Sequence, residues 1–302
     1  KNALPSLHTA VKNNDLQAIT FHLFGDKKDV NEVSNYKKST PLHIAAYMGN
    51  YEVAHCLIES NACPDLLNED GFSPLELAVI SDSLETVYVL LEKTSLDLCA
   101  KALFLATDLQ RINIINVLSC TDFSKSYVAD NGDTILIRFI KRKLFTIAEN
   151  YIKLRKPDIQ QKDANGAIAL HYAAVSSSKS LINALITNEN KNAQDNKGRT
   201  PLFYAVMASD TESIIELLNN NCSVDIMTTY GISPVAIALS LELSNRLTLT
   251  QQSALIRYTI NIKDIINMFE KKSNKIILPD YINNTVVEYE YQEIQLYGPQ
   301  FI

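Results

Sequence analysis

A short pattern recurs along the chain at an interval of about 33 residues. Its clearest copy is STPLHIAAYMGN at residues 39–50, where a Thr-Pro-Leu-His tetrad is followed by two alanines and a glycine. Leu42 marks the tetrad, and the equivalent markers are Leu7, Leu75, Leu103, Leu136, Leu170, Leu202 and Val235. The seven intervals between successive markers are 35, 33, 28, 33, 34, 32 and 33 residues. A fixed period of this length is typical of repeat proteins, whose units contact mainly their neighbours.

Each copy predicts a tight turn followed by two antiparallel helices. Thr40 is suited to the N-cap of the first helix, and Pro41 to its first position, where a missing N–H costs nothing. Leu42 then points into a shared core, and Gly49 is expected to end the helix in the left-handed conformation. In the second helix, residues 51–62, apolar side chains recur at helical spacing. Near its end Asn61, the next-best residue to Gly for positive φ, predicts another left-handed position.

The pattern resembles the ankyrin repeat over residues 3 to about 245. The sequence NAQDNKGRTPLFYAV at residues 192–206 follows the family pattern almost residue by residue, and KDANGAIALHYAAV and LNEDGFSPLELAV follow it closely. The resemblance implies an all-α solenoid of about eight helix-turn-helix repeats with hairpin-like loops. Copies four and five are degenerate, and the fourth lacks Thr-Pro and follows the short step of 28 residues. The first copy lacks a preceding hairpin, as a terminal cap would.

The resemblance also implies structural roles for three histidines. His43 would hydrogen-bond locally and tie adjacent repeats together, and His8 and His171 stand at the same tetrad position. His22 and His55 lie on expected second helices without a carboxylate or cysteine partner at ligand spacing. We therefore expect no metal site at these histidines.

Three regions follow from the pattern. Residues 1–245 are expected to hold the repeats, and residues 246–275 an amphipathic helix that caps the last one. Residues 276–302 form an acidic, Tyr-rich tail, for which a packed terminal segment is the leading interpretation. Within it, YQEI at residues 291–294 matches a sorting or phosphotyrosine motif. Glu288, Glu290 and Glu293 are similar to the acidic tail signals of bacterial effectors secreted by type IV systems.

Composition and motifs argue against several classes of function. A net charge of −6 does not favour nucleic acid or acidic membranes, and the five scattered cysteines favour thiols in a reducing compartment. No stretch approaches 18 uninterrupted apolar residues. Phosphate-binding Gly-rich loops, HExxH and GxSxG are not found. We therefore expect no enzyme, no cofactor and no metal, and a cytoplasmic location.

In ankyrin arrays a partner is usually bound by the hairpin tips and by the exposed ends of the first helices. The tip positions of this sequence are Tyr36, Lys37, Glu69, Asp70, Phe72, Asp130, Asn131, Asn196, Lys197, Arg199 and Tyr230. The helix-end positions are Tyr47, Met48, Ile80, Asp108, Lys141, Arg142 and Met207. Tyr, Met and Arg are common at interface hot spots, and Tyr36, Tyr47 and Met48 are expected to form one apolar patch.

Residues 138–158 depart from the acidic balance of the chain, with seven basic side chains against Glu149 and Asp158. Lys141 and Arg142 replace a pair that is usually small or apolar, so we expect them to face an acidic or phosphorylated partner. The function indicated is protein–protein recognition through a concave surface, as in a bacterial effector that captures a host protein in the host cytoplasm. The alternatives are the substrate-targeting region of a larger enzyme and a eukaryotic cytosolic scaffold or inhibitor.

Overall fold

The structure is a computed structural model that describes residues 6–26, 28–121, 127–234 and 237–238. These residues divide into two compact units, with the boundary between Ala129 and Asp130. Throughout the described ranges the regular structure is helical. The expected all-α ankyrin-type architecture is confirmed, with a first and a second helix in each repeat.

Unit one contains four helix pairs. Its helices are α1 (Leu7–Lys12), α2 (Leu16–Thr20), α3 (Pro41–Tyr47), α4 (Tyr51–Glu59), α5 (Pro74–Ile80), α6 (Leu84–Leu91), α7 (Leu96–Asp108) and α8 (Ile112–Ser119). A π-helical turn, Phe21–Gly25, continues α2. The first helices pack side by side in the order α1, α3, α5, α7, and the second helices α4, α6 and α8 do the same.

Unit two contains three complete pairs. Its helices are α9 (Ile135–Lys141), α10 (Phe145–Arg155), α11 (Ala169–Ala173), α12 (Lys179–Leu185), α13 (Pro201–Met207) and α14 (Thr211–Asn219). Again α9, α11 and α13 pack in order, as do α10, α12 and α14. The marker Val235 of an eighth copy, the expected capping helix of residues 246–275 and the tail of residues 276–302 lie outside the described residues.

The marker leucines build the core of each unit. Leu42, Leu75, Leu170 and Leu202 are fully buried, and each is the second residue of its helix. Burying a leucine side chain is worth about 1.5–3 kcal/mol, so the recurring leucine is a substantial contribution to the core of each repeat. The interval at which the pattern recurs in the sequence is therefore the interval at which buried leucines recur in the core.

The short step before the fourth copy has a structural cause. α7 has 13 residues and begins at Leu96, so its marker Leu103 lies at the eighth position of the helix. The extra N-terminal turns of α7 stand where the other copies have a hairpin. The N-cap residue Ser95 makes no side-chain capping bond, in keeping with the missing Thr-Pro signal.

The turn between the two helices of a pair always contains a left-handed residue. Gly49 has φ +66°, and Asn61 at the end of α4 has φ +64°, as expected. In the other interhelical turns the left-handed residue is not glycine: Asn14, Asp82, Gln110, Lys143, Ser177 and Ser209. Side chains of L-residues pay a steric cost in this conformation, so the packing of the helices enforces the turn.

Candidate binding surface

The hairpin tips of successive repeats are joined to each other. In unit one the Glu69 amide donates to the Lys37 carbonyl at 2.8 Å, and the Lys37 ammonium lies 2.7 Å from Asp70 Oδ2. In unit two the Asn196 amide donates to the Asn165 carbonyl at 2.9 Å. The tips therefore form a fixed row within each unit, and their outward side chains hold defined positions.

The structure exposes most of the predicted contact residues. Exposed are Tyr36, Lys37, Tyr47, Met48, Glu69, Asp70, Asp130, Asn131, Arg142, Asn196 and Tyr230. Half-buried are Phe72, Ile80, Asp108, Lys141, Lys197 and Arg199. Met207 is only 6% exposed, so its expected place on the surface is wrong, because the end of α13 packs it into the core.

Tyr36, Tyr47 and Met48 flank the two ends of α3. Tyr36 is 77% exposed in the hairpin before the helix, and Tyr47 and Met48 are 61% and 51% exposed at its C-terminal end. The seven residues of α3 make a helix about 10 Å long. The repeat therefore offers two contact points, Tyr36 at one end of α3 and Tyr47 with Met48 at the other. That the three side chains form a single apolar patch stays a prediction.

The interpretation of Lys141 as a residue that faces an acidic partner is wrong. Its ammonium lies 2.7 Å from Asp133 Oδ1 and 3.6 Å from Asp163 Oδ2, and it stands 4.3 Å from the centre of the Tyr172 ring. The lysine reaches back from the end of α9 to carboxylates of its own unit. Its neighbour Arg142 is exposed.

Arg199 is held in a similar way at the next hairpin. Its Nε lies 2.8 Å from Asp195 Oδ2, and its guanidinium stands 5.0 Å from the centre of the Tyr204 ring. The hydroxyl of Tyr204 donates to the same carboxylate oxygen at 2.9 Å. Arg199 therefore fixes the hairpin, and only 14% of its side chain remains exposed at the predicted tip position.

Buried carboxylates organise the hairpins of unit two. Asp163 Oδ1 accepts from the Asn165 and Ala167 amides at 2.9 and 3.0 Å, and its other oxygen accepts from the Tyr172 hydroxyl. Burial, followed by the hydrogen bond to this carboxylate, raises the pKa of Tyr172 well above its usual range. Burial likewise raises the pKa of Tyr204. Both phenols stay neutral donors, so their hydroxyl groups support the hairpins by hydrogen bonds to the buried carboxylates.

The tetrad histidines tie each helix to the next hairpin. His43 Nδ1 accepts from the Thr40 amide at 3.2 Å, and its Nε2 donates to the Phe72 carbonyl of the following repeat at 3.1 Å. His171 repeats this arrangement: its Nδ1 accepts from the Ile168 amide at 3.1 Å, and its Nε2 donates to the Arg199 carbonyl at 3.0 Å. The structural role expected for both residues is confirmed.

The Nε2 atom of His8, the tetrad histidine of the first repeat, likewise lies 3.1 Å from the Ser39 carbonyl of the following hairpin. Of the two histidines outside the tetrads, His22 is buried and His55 is exposed. Within the ranges that the structure describes, no group of three or more His, Cys, Asp or Glu side chains is arranged to hold a metal ion. Among the same residues, no helix combines the length and the apolar character needed to cross a bilayer.

Comparison with known proteins identifies the repeat. The family model described as ankyrin repeats (3 copies) matches residues 7–102 and 127–229. The chain belongs to the ankyrin repeat family. Residues 103–126, which the two matches leave out, hold α8 and most of the described part of the degenerate fourth copy. Ankyrin repeats are generally protein–protein interaction modules without enzymatic activity of their own.

Several longer proteins resemble this ankyrin chain. Phosphate system positive regulatory protein PHO81 of Saccharomyces cerevisiae is 29% identical over 215 residues, which cover 63% of this chain and 17% of that protein. Neurogenic locus notch homolog protein 1 of Xenopus tropicalis is 28% identical over 167 residues, 55% of this chain and 6% of that protein. Rabankyrin-5 of Homo sapiens is 24% identical over 311 residues, 93% of this chain and 25% of that protein. The chain thus spans a quarter or less of each of these relatives.

The N1 positions of the second helices are functional candidates that the sequence-based prediction missed. Leu16, Tyr51 and Ile112, the first residues of α2, α4 and α8, are 49%, 47% and 43% exposed. The signal in the sequence is an apolar residue two positions after the left-handed turn residue. The family pattern does not contain this signal, because it places partner contacts at the hairpin tips and the ends of the first helices.

Proposed function

We propose that this chain recognises a partner protein through the hairpin tips and first-helix ends that line the concave side of its ankyrin repeats. The observation that carries the proposal is the exposure of Tyr47 and Met48, which are 61% and 51% accessible at the end of α3. Large side chains of this kind supply most of the energy of a protein interface when they become buried. The neighbouring core, with Ala45, Ala46 and Leu42 fully buried, does not depend on them.

Charged residues at the hairpin tips, at the other end of the first helices, supply selectivity. Lys37, Glu69 and Asp70 in unit one lie on adjacent hairpins at fixed spacing. In unit two the exposed Arg142 offers a contact for an acidic or phosphorylated group of the partner. Charges at the rim of an interface mainly steer association and exclude wrong partners.

Affinity capture from native lysate tests the proposal. We expect the double variant Tyr47→Ser/Met48→Ser to lose a partner that the wild type retains, with an unchanged thermal midpoint. The matched control is Leu154→Ser on α10, because Leu154 is 74% exposed and lies outside the proposed surface. Equal capture by all three proteins would overturn the proposal.

The biological setting is a separate part of the proposal. We favour a bacterial effector that captures a host protein over a targeting region of a larger enzyme or a eukaryotic scaffold. The similarity to acidic secretion signals in the residue 276–302 segment supports the effector. Catalytic motifs in a longer open reading frame would instead support the enzyme.

A further inference from the structure

Large apolar side chains occupy the first position of every second helix in unit one. Leu16, Tyr51 and Ile112 are exposed and Leu84 is half-buried, at the starts of α2, α4, α8 and α6. The same position in unit two holds the half-buried Phe145, then Lys179 and Thr211 on α12 and α14. An apolar row at this position is therefore a feature of unit one, exposed in the first, second and fourth pairs and half-buried in the third.

Hydrogen bonds place the four interhelical turns of unit one next to each other. Asn50 Nδ2 donates to Asn14 Oδ1 at 2.7 Å, which joins the first turn to the second. Ser83 Oγ donates to the Gly49 carbonyl at 3.3 Å and joins the second to the third. Arg111 Nη1 lies 3.2 Å from Asp82 Oδ2 and joins the third to the fourth.

Exposed apolar residues at the C-terminal ends of first helices precede the same turns and extend the row. Tyr47 and Met48 precede Gly49, and Leu109, which is 41% exposed, precedes Gln110. We name this surface the turn edge and define it by its exposed members: Leu16, Tyr47, Met48, Tyr51, Leu109 and Ile112. Large exposed apolar side chains gathered along one edge of a protein indicate an interaction site, because they add nothing to the fold.

The length of the turn edge matches a helix. Packed helices lie about 8–10 Å apart, so the three steps between four repeats span about 24–30 Å. A helix of about 16–20 residues covers that distance and presents an apolar stripe along one side. A pairing strand is less suitable, because the described part of unit one has no sheet edge to extend.

The charge of unit one specifies the flanks of that helix. Residues 1–129 hold 16 of the 34 acidic and 10 of the 28 basic side chains, so this part carries the whole net charge of −6. Glu52 and Glu85 are exposed and directly follow Tyr51 and Leu84 of the row. Basic residues beside the apolar stripe of a partner would meet these carboxylates.

We infer that the turn edge binds an amphipathic helix of a partner protein, whose apolar stripe is flanked by lysine or arginine. The inference rests on the proposed function and deepens it. It assigns the partner to a class of peptide, and it moves the centre of contact from the hairpin tips to the opposite ends of the first helices. Tyr51 and Ile112 become contact residues on the second helices.

A display library of 18-residue peptides with a helical apolar pattern and randomised flanking positions tests the inference. The protein is used as the full chain. We expect the enriched peptides to carry basic flanks and to bind more weakly at high salt, because exposed charges are screened. Their dissociation constants should rise at least tenfold for Tyr51→Ser/Ile112→Ser and for Glu52→Lys/Glu85→Lys. Leu154→Ser is the matched exposed control, and thermal unfolding verifies that every variant is folded.

Different failures of this experiment have different meanings. Enriched peptides with acidic flanks, peptides that bind the Tyr51→Ser/Ile112→Ser protein equally well, or no enrichment at all would each overturn the inference. Peptides that require Tyr36 and Lys37 but not Tyr51 would overturn it while supporting recognition at the hairpin tips. A concentration-dependent dimer that Tyr51→Ser abolishes, seen by analytical ultracentrifugation, would show that a second copy covers the edge and would also overturn it.

Discussion

The Nζ atom of Lys141 lies 2.7 Å from Oδ1 of Asp133, a carboxylate that is almost completely buried. The lysine side chain is 14% exposed and also approaches Asp163 of the following hairpin. Lys141 therefore lies beside two buried carboxylates in successive repeats of unit two, and Arg138 Nε, 3.4 Å from Asp133 Oδ2, is a second cation beside the first of them. The arrangement makes Lys141 part of the folded unit rather than part of its binding chemistry.

Replacing this lysine should destabilise unit two strongly. We expect Lys141→Ala to lower the free energy of unfolding by about 3–5 kcal/mol, because it removes the nearer of the two cations beside buried Asp133 and the cation beside buried Asp163. Urea unfolding followed by circular dichroism measures the change. Lys153→Ala, at an exposed position of α10, should change it by less than about 0.5 kcal/mol. Equal effects of the two substitutions would contradict the buried ion pair.

Acidification should weaken the fold through two histidines. Burial lowers the pKa of His43 and His171 below the ordinary value, so the folded state keeps both rings neutral. Each Nδ1 accepts a backbone N–H, and a proton there would oppose that donor. The contribution is fully present above the unfolded pKa of about 6.5 and is lost as the pH falls from there toward the folded pKa.

The measurement compares free energies of unfolding at pH 7.5 and pH 5.5. We expect the two histidines together to make the free energy of unfolding about 1–3 kcal/mol lower at pH 5.5 than at pH 7.5. His43→Gln removes one of the two histidines. Between the two pH values its free energy of unfolding should therefore fall less than that of the wild type, by up to about 1.4 kcal/mol. His55→Gln, on the exposed side of α4, is the control. A pH dependence that His43→Gln leaves unchanged would argue against this role of the ring.

The marker leucines should dominate the stability of their units. We expect Leu42→Ala to lower the free energy of unfolding by about 2–5 kcal/mol, because the side chain is fully buried. Leu154→Ala removes the same atoms from a side chain that is 74% exposed and should have little effect. The comparison uses thermal and urea unfolding, and an unchanged midpoint for Leu42→Ala would refute the register of the repeats.

Substitutions at two equivalent positions of the interhelical turns should change the stability of the protein in opposite directions. Gly49 has φ +66°, and a Cβ added there would lie 3.1 Å from Ser83 Cβ, so Gly49→Ala should cost about 1–2 kcal/mol. Gln110 has φ +55° at the same place in the fourth repeat. Gln110→Gly should stabilise the protein by about 0.5–1 kcal/mol, because relief of the steric cost exceeds the entropy cost of glycine. Chemical unfolding of both variants measures the pair, and a change of the same sign would contradict the shared geometry.

Much of the fold could be predicted from the sequence because its signals are local. Thr40, Pro41 and Leu42 cap, start and bury the first turn of one helix. The interval between the marker residues equals the sequence separation of equivalent core positions in successive repeats. The bond of His43 to the following hairpin follows from the resemblance to the ankyrin repeat, in which the tetrad histidine links adjacent units. The longer α7 was signalled only by a short step, because a missing hairpin does not show what replaces it.

The surface was less predictable because its properties depend on partners distant in sequence. Lys141 pairs with Asp133 and Asp163, which lie eight residues before it and 22 residues after it, and its charge alone does not indicate either contact. Met207 resembles an exposed helix end until the packing of α13 buries it. The turn edge requires comparison of one position across four copies, and only the stacked turns show that those positions adjoin.

The left-handed turn residues have a consequence for how such a chain can vary. Asn, Gly, Asp, Gln, Lys and Ser all occupy the same backbone conformation in successive turns. The fold therefore accepts residues of several types at the left-handed position of the interhelical turns. The steric cost of this conformation is modest, and the packing of the helices compensates it. The chemistry displayed between helices can change from repeat to repeat while the architecture stays constant, which lets one scaffold acquire new specificities in small steps.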